Sequence, residues 1–138
     1  MSRYLIDTNI LSEPIKSRPT PVVVETMRHY TEDIAIASVT WHEILFGCKR
    51  LPPSRRRETI EQYLEDVQRT FPILPYTLEA ATWHASERAR LVALGQTPAF
   101  QDGQIAAIAH VYNLILVTNN VSDYANFQNL TIENWFVP

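Results

Sequence analysis

Residues 4–14 read YLIDTNILSEP, and their pattern sets the reading of everything downstream. Tyr4, Leu5 and Ile6 form a short apolar run that stops at Asp7-Thr8-Asn9, residues that favour turns, which predicts a buried strand with an acid at its exit. In open α/β sheets, ligands sit beyond the carboxyl ends of the strands. Asp7 is therefore the first candidate for chemistry.

Working outward, Val22, Val23, Thr26, Met27 and Tyr30 recur at helical spacing after Pro14, Pro19 and Pro21, and Ile34 to Ala37 forms a second strand-like run. Thr40 is expected to open a helix through Trp41, Ile44, Leu45 and Cys48, halted by Pro52 and Pro53. Ser54 then caps a helix with Ile60, Tyr63, Leu64, Val67 and Phe71 on one face. Two successive helices predict a helical hairpin. Ile73 and Leu74 read as a short strand. Thr77 to Leu94 reads as a long helix with a small-residue face at Ala81, Ala85 and Ala89, closed by Gly95. Asp102 is expected to open a further helix through Ile105, Ala106, Ile108, Ala109 and Tyr112, before a strand at Leu114 to Val117 and a last strand near Leu130 to Trp135. This alternation predicts an α/β domain with a mainly parallel central sheet flanked by helices.

At 138 residues and 46% hydrophobic, the chain suits one domain that buries a substantial core. No run of eighteen apolar residues occurs, and the N-terminal segment lacks the features of a signal peptide, so no membrane association and a cytoplasmic location are expected. Cys48 is the only cysteine, which excludes an internal disulfide or a thiolate zinc cage and suits a small core side chain. The net charge of −3 argues against a protein that coats nucleic acid nonspecifically. Its distribution is uneven: residues 91–138 contain no Lys or Arg but hold Asp102, Asp123 and Glu133.

Asp7 follows the first strand, Glu43 is expected in the first turn of the helix after the second, and Asp102 in the first turn of a later helix. In a parallel sheet all three can converge on one edge. Each also has a structural explanation. Thr40-x-x-Glu43 fits a capping box, Asp102 suits the helix dipole, and Asp7 suits an Asx turn. Unpaired carboxylates beside such apolar segments are costly to bury, and a shared divalent cation removes that cost. Oxygen donors alone suit magnesium, or manganese, better than zinc. His29, His42, His84 and His110 form no H-E-x-x-H pattern and read as surface or packing residues, and no phosphate-cradling glycine motif is present.

Four segments, YLIDTNILSEP at 4–14, ASVTWHEILFGCKRL at 37–51, DGQIAAIAH at 102–110 and LVTNN at 116–120, with I-E-N-W at 132–135, together resemble the PIN-domain family and its VapC toxins from end to end. The resemblance implies a single PIN domain over 1–138 and a Mg²⁺-dependent ribonuclease, Mn²⁺ being a possible substitute. Asp7, Glu43 and Asp102 then fall on the family's acids, with Asp7 and Asp102 as direct metal ligands and Asn9, Thr118 and Asn120 in support. Many members carry a fourth acid where this chain has Asn120. Asp123, three residues on, either supplies the missing carboxylate or is a solvated loop residue, and the solvated reading is favoured.

An RNA substrate must reach this acidic site, which points to Lys49, Arg50, Arg55, Arg56 and Arg57 on the hairpin as phosphate contacts. Their other reading is a solvated face paired with Glu58 and Glu61. The resemblance further implies a homodimer and a cognate VapB-type antitoxin. Three alternatives compete. A receiver domain lacks its late lysine here. A haloacid-dehalogenase-type phosphatase lacks a second aspartate, Asn9 standing in its place. A catalytically degenerate PIN domain acting as a binding module draws support from Asn120.

Overall fold

The computed structural model describes residues 1–137. One sheet organises the chain, with strands β1 (Tyr4–Ile6), β2 (Ile34–Ala37), β3 (Ile73–Leu74), β4 (Ile115–Val117) and β5 (Ile132–Glu133) in the order β3-β2-β1-β4-β5. Every pairing is parallel, with Tyr4 beside Ile34, Leu5 beside Leu116, and Val117 beside Glu133. The chain builds outward from β1 to β2 and β3, then returns to lay β4 on β1's other side. A crevice opens where strand order reverses, beyond the ends of β1 and β4.

The pleat explains why the strand sequences are apolar throughout. Tyr4 and Ile6 face one core with Ile34 and Ile36, whereas Leu5 faces the other with Ala35 and Ala37. The first core is covered by α2 (Pro21–His29), α3 (Ser38–Lys49) and α4 (Arg55–Thr70), and includes Cys48, buried as expected. The second lies under α5 (Leu78–Ala93) and α6 (Phe100–Val111). Ser54 caps α4 by accepting from Arg57 N, and Thr77 caps α5 by accepting from Ala80 N.

Several expectations are corrected. Asp7 leads directly into a short helix, α1 (Thr8–Leu11), and not a simple turn. Because Ala37 is extended and ends β2, α3 starts two residues before Thr40. Thr40 is thus interior to the helix, its hydroxyl buried and unpartnered, and the capping box with Glu43 does not form. Glu43 consequently lies in the second turn. α6 begins two residues before Asp102, which still occupies its first turn. On α5 the buried positions are Ala80, His84, Glu87 and Leu91, while Ala85 and Ala89 face solvent. A further short helix, α7 (Val121–Tyr124), follows β4 where the sequence suggested only loop.

Candidate active site

β1 and β4 deliver the first two polar side chains. Asp7 N donates to Val117 O at 2.9 Å, the last rung between the two strands, so Asp7 and Thr118 emerge side by side. Thr118 Oγ1 donates to Asp7 Oδ2 at 3.0 Å. Asp7 is buried, and its Oδ1 accepts from Thr8 N at 2.8 Å, capping α1. Asn9 Nδ2 reaches both Asp7 Oδ2 (3.4 Å) and Thr118 Oγ1 (3.3 Å), and its Oδ1 accepts from Asn119 N at 3.0 Å. Asn9 therefore ties the start of α1 to the loop after β4.

Glu43 reaches the same crevice from α3, where Thr8 Oγ1 donates to its Oε2 at 3.2 Å. Asp102 enters from α6 and accepts from Tyr124 Oη at 3.3 Å, and the same hydroxyl lies 3.2 Å from Asp7 Oδ2. The tyrosine is buried, and burial together with the charges of Asp7 and Asp102 pushes its ionisation far above the ordinary range, so it stays protonated. Asp7, Thr8, Asn9, Ser12, Glu43, Gln101, Asp102 and Asn120 line an open cleft of about 320 Å³.

The electrostatics of this cleft are those of an acid cluster short of positive charge. Burial, and then the charges of Asp7 and Asp102, raise the Glu43 carboxyl against the opposing Thr8 hydrogen bond. Asp102 is raised by burial first, then by Asp123 and Asp7, with the Tyr124 bond opposing. Asp123 is exposed on α7, as its solvated reading expected, yet its charge acts on Asp102. Asn120 is exposed at the cleft, and its backbone N–H donates to Thr118 Oγ1 at 3.0 Å.

The donor set fits a hard divalent cation. Among the described residues no three Asp, Glu, His or Cys side chains are close enough to form a ready-made metal cage. Magnesium, however, takes only one or two protein carboxylates and keeps several waters. Glu43 Oε1 and Asp102 Oδ2 accept no hydrogen bond among the described residues, and both carboxyls are raised, first by burial and then by neighbouring acids whose charge a cation would offset.

The five basic candidates lie at the α3–α4 turn, and none of them lines the acidic cleft. Lys49, Arg50, Arg55 and Arg56 are exposed. Arg57 instead donates from Nη1 to Leu51 O at 2.9 Å and sits 3.7 Å from Glu61, so it secures the α3–α4 turn. Tyr124 and Thr8, which bond the acids, and Ser12 and Gln101, which line the cleft, are site residues that the sequence did not point out. Thr8 stood beside Asp7 in a strand-exit motif and was within reach of inspection. Tyr124 is brought in only by α7, for which there was no periodic signal.

The PIN-domain family model matches residues 4–126. A tRNA(fMet)-specific endonuclease VapC of Shigella flexneri is 31% identical over 98% of this chain and 99% of its own length. A ribonuclease VapC2 of Haemophilus influenzae is 30% identical over the same shares of the two chains. Among solved structures, FitAcB from Neisseria gonorrhoeae superposes with a TM-score of 0.90 at 26% identity, covering 98% of this chain and 99% of that one. DNA-bound VapBC from Salmonella typhimurium superposes with a TM-score of 0.85 at 27% identity, with the same coverage.

Proposed function

The chain belongs to the PIN-domain family, among its VapC-type members, and on that premise we propose that it is a divalent-metal-dependent endoribonuclease, the toxin of a type II toxin–antitoxin pair. The observation that carries the reading is the convergence of Asp7, Glu43 and Asp102 on one cleft whose lining, among the described residues, holds no Lys or Arg. In a merely structural cluster, these carboxyls would be paired by lysine or arginine, as Glu13 is by Lys16 and Glu87 by Arg90.

In this reading Asp7 and Asp102 hold Mg²⁺, with Mn²⁺ as a substitute, and Glu43 stands at the outer edge, ligating through water or orienting the nucleophile. When bound, the ion supplies Lewis acidity and positive charge beside the phosphodiester. The chain's own groups do the positioning. Thr8 N, Asn9 and Thr118 fix the Asp7 carboxylate by hydrogen bonds to both of its oxygens. Tyr124 donates between Asp7 and Asp102, holding two like charges at one centre. Asn120, exposed at the cleft mouth, offers an amide and no charge where many members have an acid.

The substrate is RNA, the whole chain 1–138 acts as one PIN domain, and the partners are a VapB-type antitoxin and a second copy of the chain. No helix of the described residues is long and apolar enough to cross a membrane, and cytoplasmic action fits an RNA substrate. The second reading, a binding module without activity, rests on Asn120.

The test is cleavage of a mixed cellular RNA pool by purified protein in Mg²⁺ and in EDTA, beside Asp7→Asn. The tRNA(fMet) named for two of the relatives is the first defined substrate to add. Cleavage in Mg²⁺ that disappears in EDTA and in the variant is expected. Folded, antitoxin-free protein that cuts nothing in Mg²⁺, or in Mn²⁺ put in its place, overturns the enzyme in favour of the binding module.

A further inference from the structure

Three and four residues after Glu43 on α3 stand Phe46 and Gly47, and seven after it stands Arg50, which caps the C-terminus of the helix in a helical conformation. This spacing keeps one helix face, so a single stripe leaves the cleft at Glu43 and runs about 10 Å along the helix axis to Arg50. Phe46 is 55% exposed, outside both of the cores that the described residues form. It is not isolated. The His42 ring lies stacked on it with centroids 6.1 Å apart and planes 18° from parallel, and the Arg50 guanidinium lies 5.5 Å from its centroid. His42 and Arg50 are themselves exposed.

Gly47 is the second anomaly. A glycine within a helix costs roughly 1 kcal/mol relative to alanine. Nothing among the described residues calls for it, because a Cβ built there would meet no atom within 4 Å and Gly47 is not among the glycines of positive φ. Its effect is to leave bare backbone on the helix face that it shares with Glu43 and Arg50. Just beyond, Lys49, Arg50, Arg55 and Arg56 cluster around the α3–α4 turn without an ion pair among the described residues.

We infer that the Phe46–Gly47–Arg50 stripe is a docking track for single-stranded RNA, on which an unpaired base stacks against Phe46 while the hairpin cations take the flanking phosphates. An exposed aromatic with a guanidinium on it, in a positively charged strip, is how proteins hold single strands without reading sequence. Gly47 gives the base and its sugar room against the helix. The track meets the cleft at Glu43, so a strand lying on it leads its next phosphates toward the acids. The inference rests on the ribonuclease reading and adds where the substrate lies.

The probes are a short fluorescent oligoadenylate and an abasic phosphodiester strand of equal length, with binding followed by anisotropy on the intact protein in EDTA. The wild type is expected to favour oligoadenylate over the abasic strand. Phe46→Ala should lose roughly ten-fold in affinity for oligoadenylate and little for the abasic strand, and Phe46→Trp should retain it. Gly47→Ala should melt higher and bind several-fold more weakly. Arg50→Gln should weaken both strands and lower the salt slope by about 0.7. Equal binding of the two strands by wild type, or oligoadenylate binding indifferent to Phe46→Ala, overturns the track while leaving the nuclease reading intact. Normal strand binding with loss of the cognate antitoxin in Phe46→Ala makes the stripe a protein-binding surface and likewise overturns it. Failure to bind either strand, together with failure to cleave RNA, overturns both readings.

Discussion

Tyr124 has one hydroxyl proton and two carboxylate neighbours, Asp7 Oδ2 at 3.2 Å and Asp102 Oδ1 at 3.3 Å. A single O–H donates well to one of them at a time. The other oxygen–oxygen approach is then a meeting of electron-rich atoms that a cation in the cleft would ease. The hydroxyl thereby sets how far apart the two acids stand before any ion arrives. Tyr124→Phe keeps the buried ring and removes only this oxygen. It should weaken Mg²⁺ binding several-fold by titration calorimetry, with a change in unfolding free energy of about 1 kcal/mol. Unaltered Mg²⁺ affinity in a folded variant would remove the positioning role and leave Tyr124 as core packing. Asp7 needs less help, because Thr8 N, Thr118 and Asn9 already fix it from the strand exits.

At the scale of elements, Asp102 depends on how α6 packs on α5. The buried His84 ring of α5 lies against Gly103, and a Cβ there would overlap the imidazole. Tyr76 hydroxyl pairs with His84 Nδ1 at 2.8 Å, which fixes the ring in place. Gly103 is thus the residue that lets the first turn of α6 come down onto α5 with Asp102 beside it. Gly103→Ala should destabilise the fold by about 1–3 kcal/mol as an overpacking change. Adding His84→Ala should recover part of that loss in the melting temperature, a coupling visible in a double-mutant cycle. Independent, additive effects would show that the two residues are not in contact. How much of this was readable in the sequence follows the same division. Asp7 could be read because it ends a short apolar run with the pattern of a strand, whereas Thr118 was reached only through the family resemblance. Asp102 could be read because the apolar periodicity of α6 begins beside it. Thr40 misled because a sequence match to a capping box cannot tell where the preceding strand lets go of the chain, and Ala37 lets go earlier. Tyr124 was invisible because its place is set at long range. Glu87 on α5 accepts from Gln128 N at 2.8 Å, and Arg90 donates to Asn126 O at 2.8 Å, which together pin the loop after α7.

The whole molecule carries two sets of buried or half-buried carboxyls that respond to pH in opposite senses. Glu87 is held low by its bonds from Arg90, despite burial, and by Gln128 N. Glu13 is opposed by burial, but Lys16 and Thr20 hold it low. For these two the folded value lies below the unfolded one. Their contribution is present above the ordinary glutamate range and disappears as pH falls through the lowered folded values. Glu43 and Asp102 are raised, by burial first and then by neighbouring acids. Their contribution is present below the ordinary carboxyl range and disappears as pH rises through the raised folded values. The metal-free protein should therefore be most stable near the ordinary carboxyl range and decline as pH rises from there towards neutrality. A divalent cation neutralises the second set without protons, so Mg²⁺ should cancel that decline and leave the acid limb unchanged. Asp102→Asn should imitate the ion in EDTA, raising the melting temperature at neutral pH by about 2–4 °C, and should blunt the response to Mg²⁺. Thermal melts across this range, for both proteins, in EDTA and in Mg²⁺, give the comparison. If Asp102→Asn melts lower than wild type at neutral pH in EDTA, Asp102 is a stabilising residue of the free fold, and the view of the cleft as a site strained by its own uncompensated charge fails.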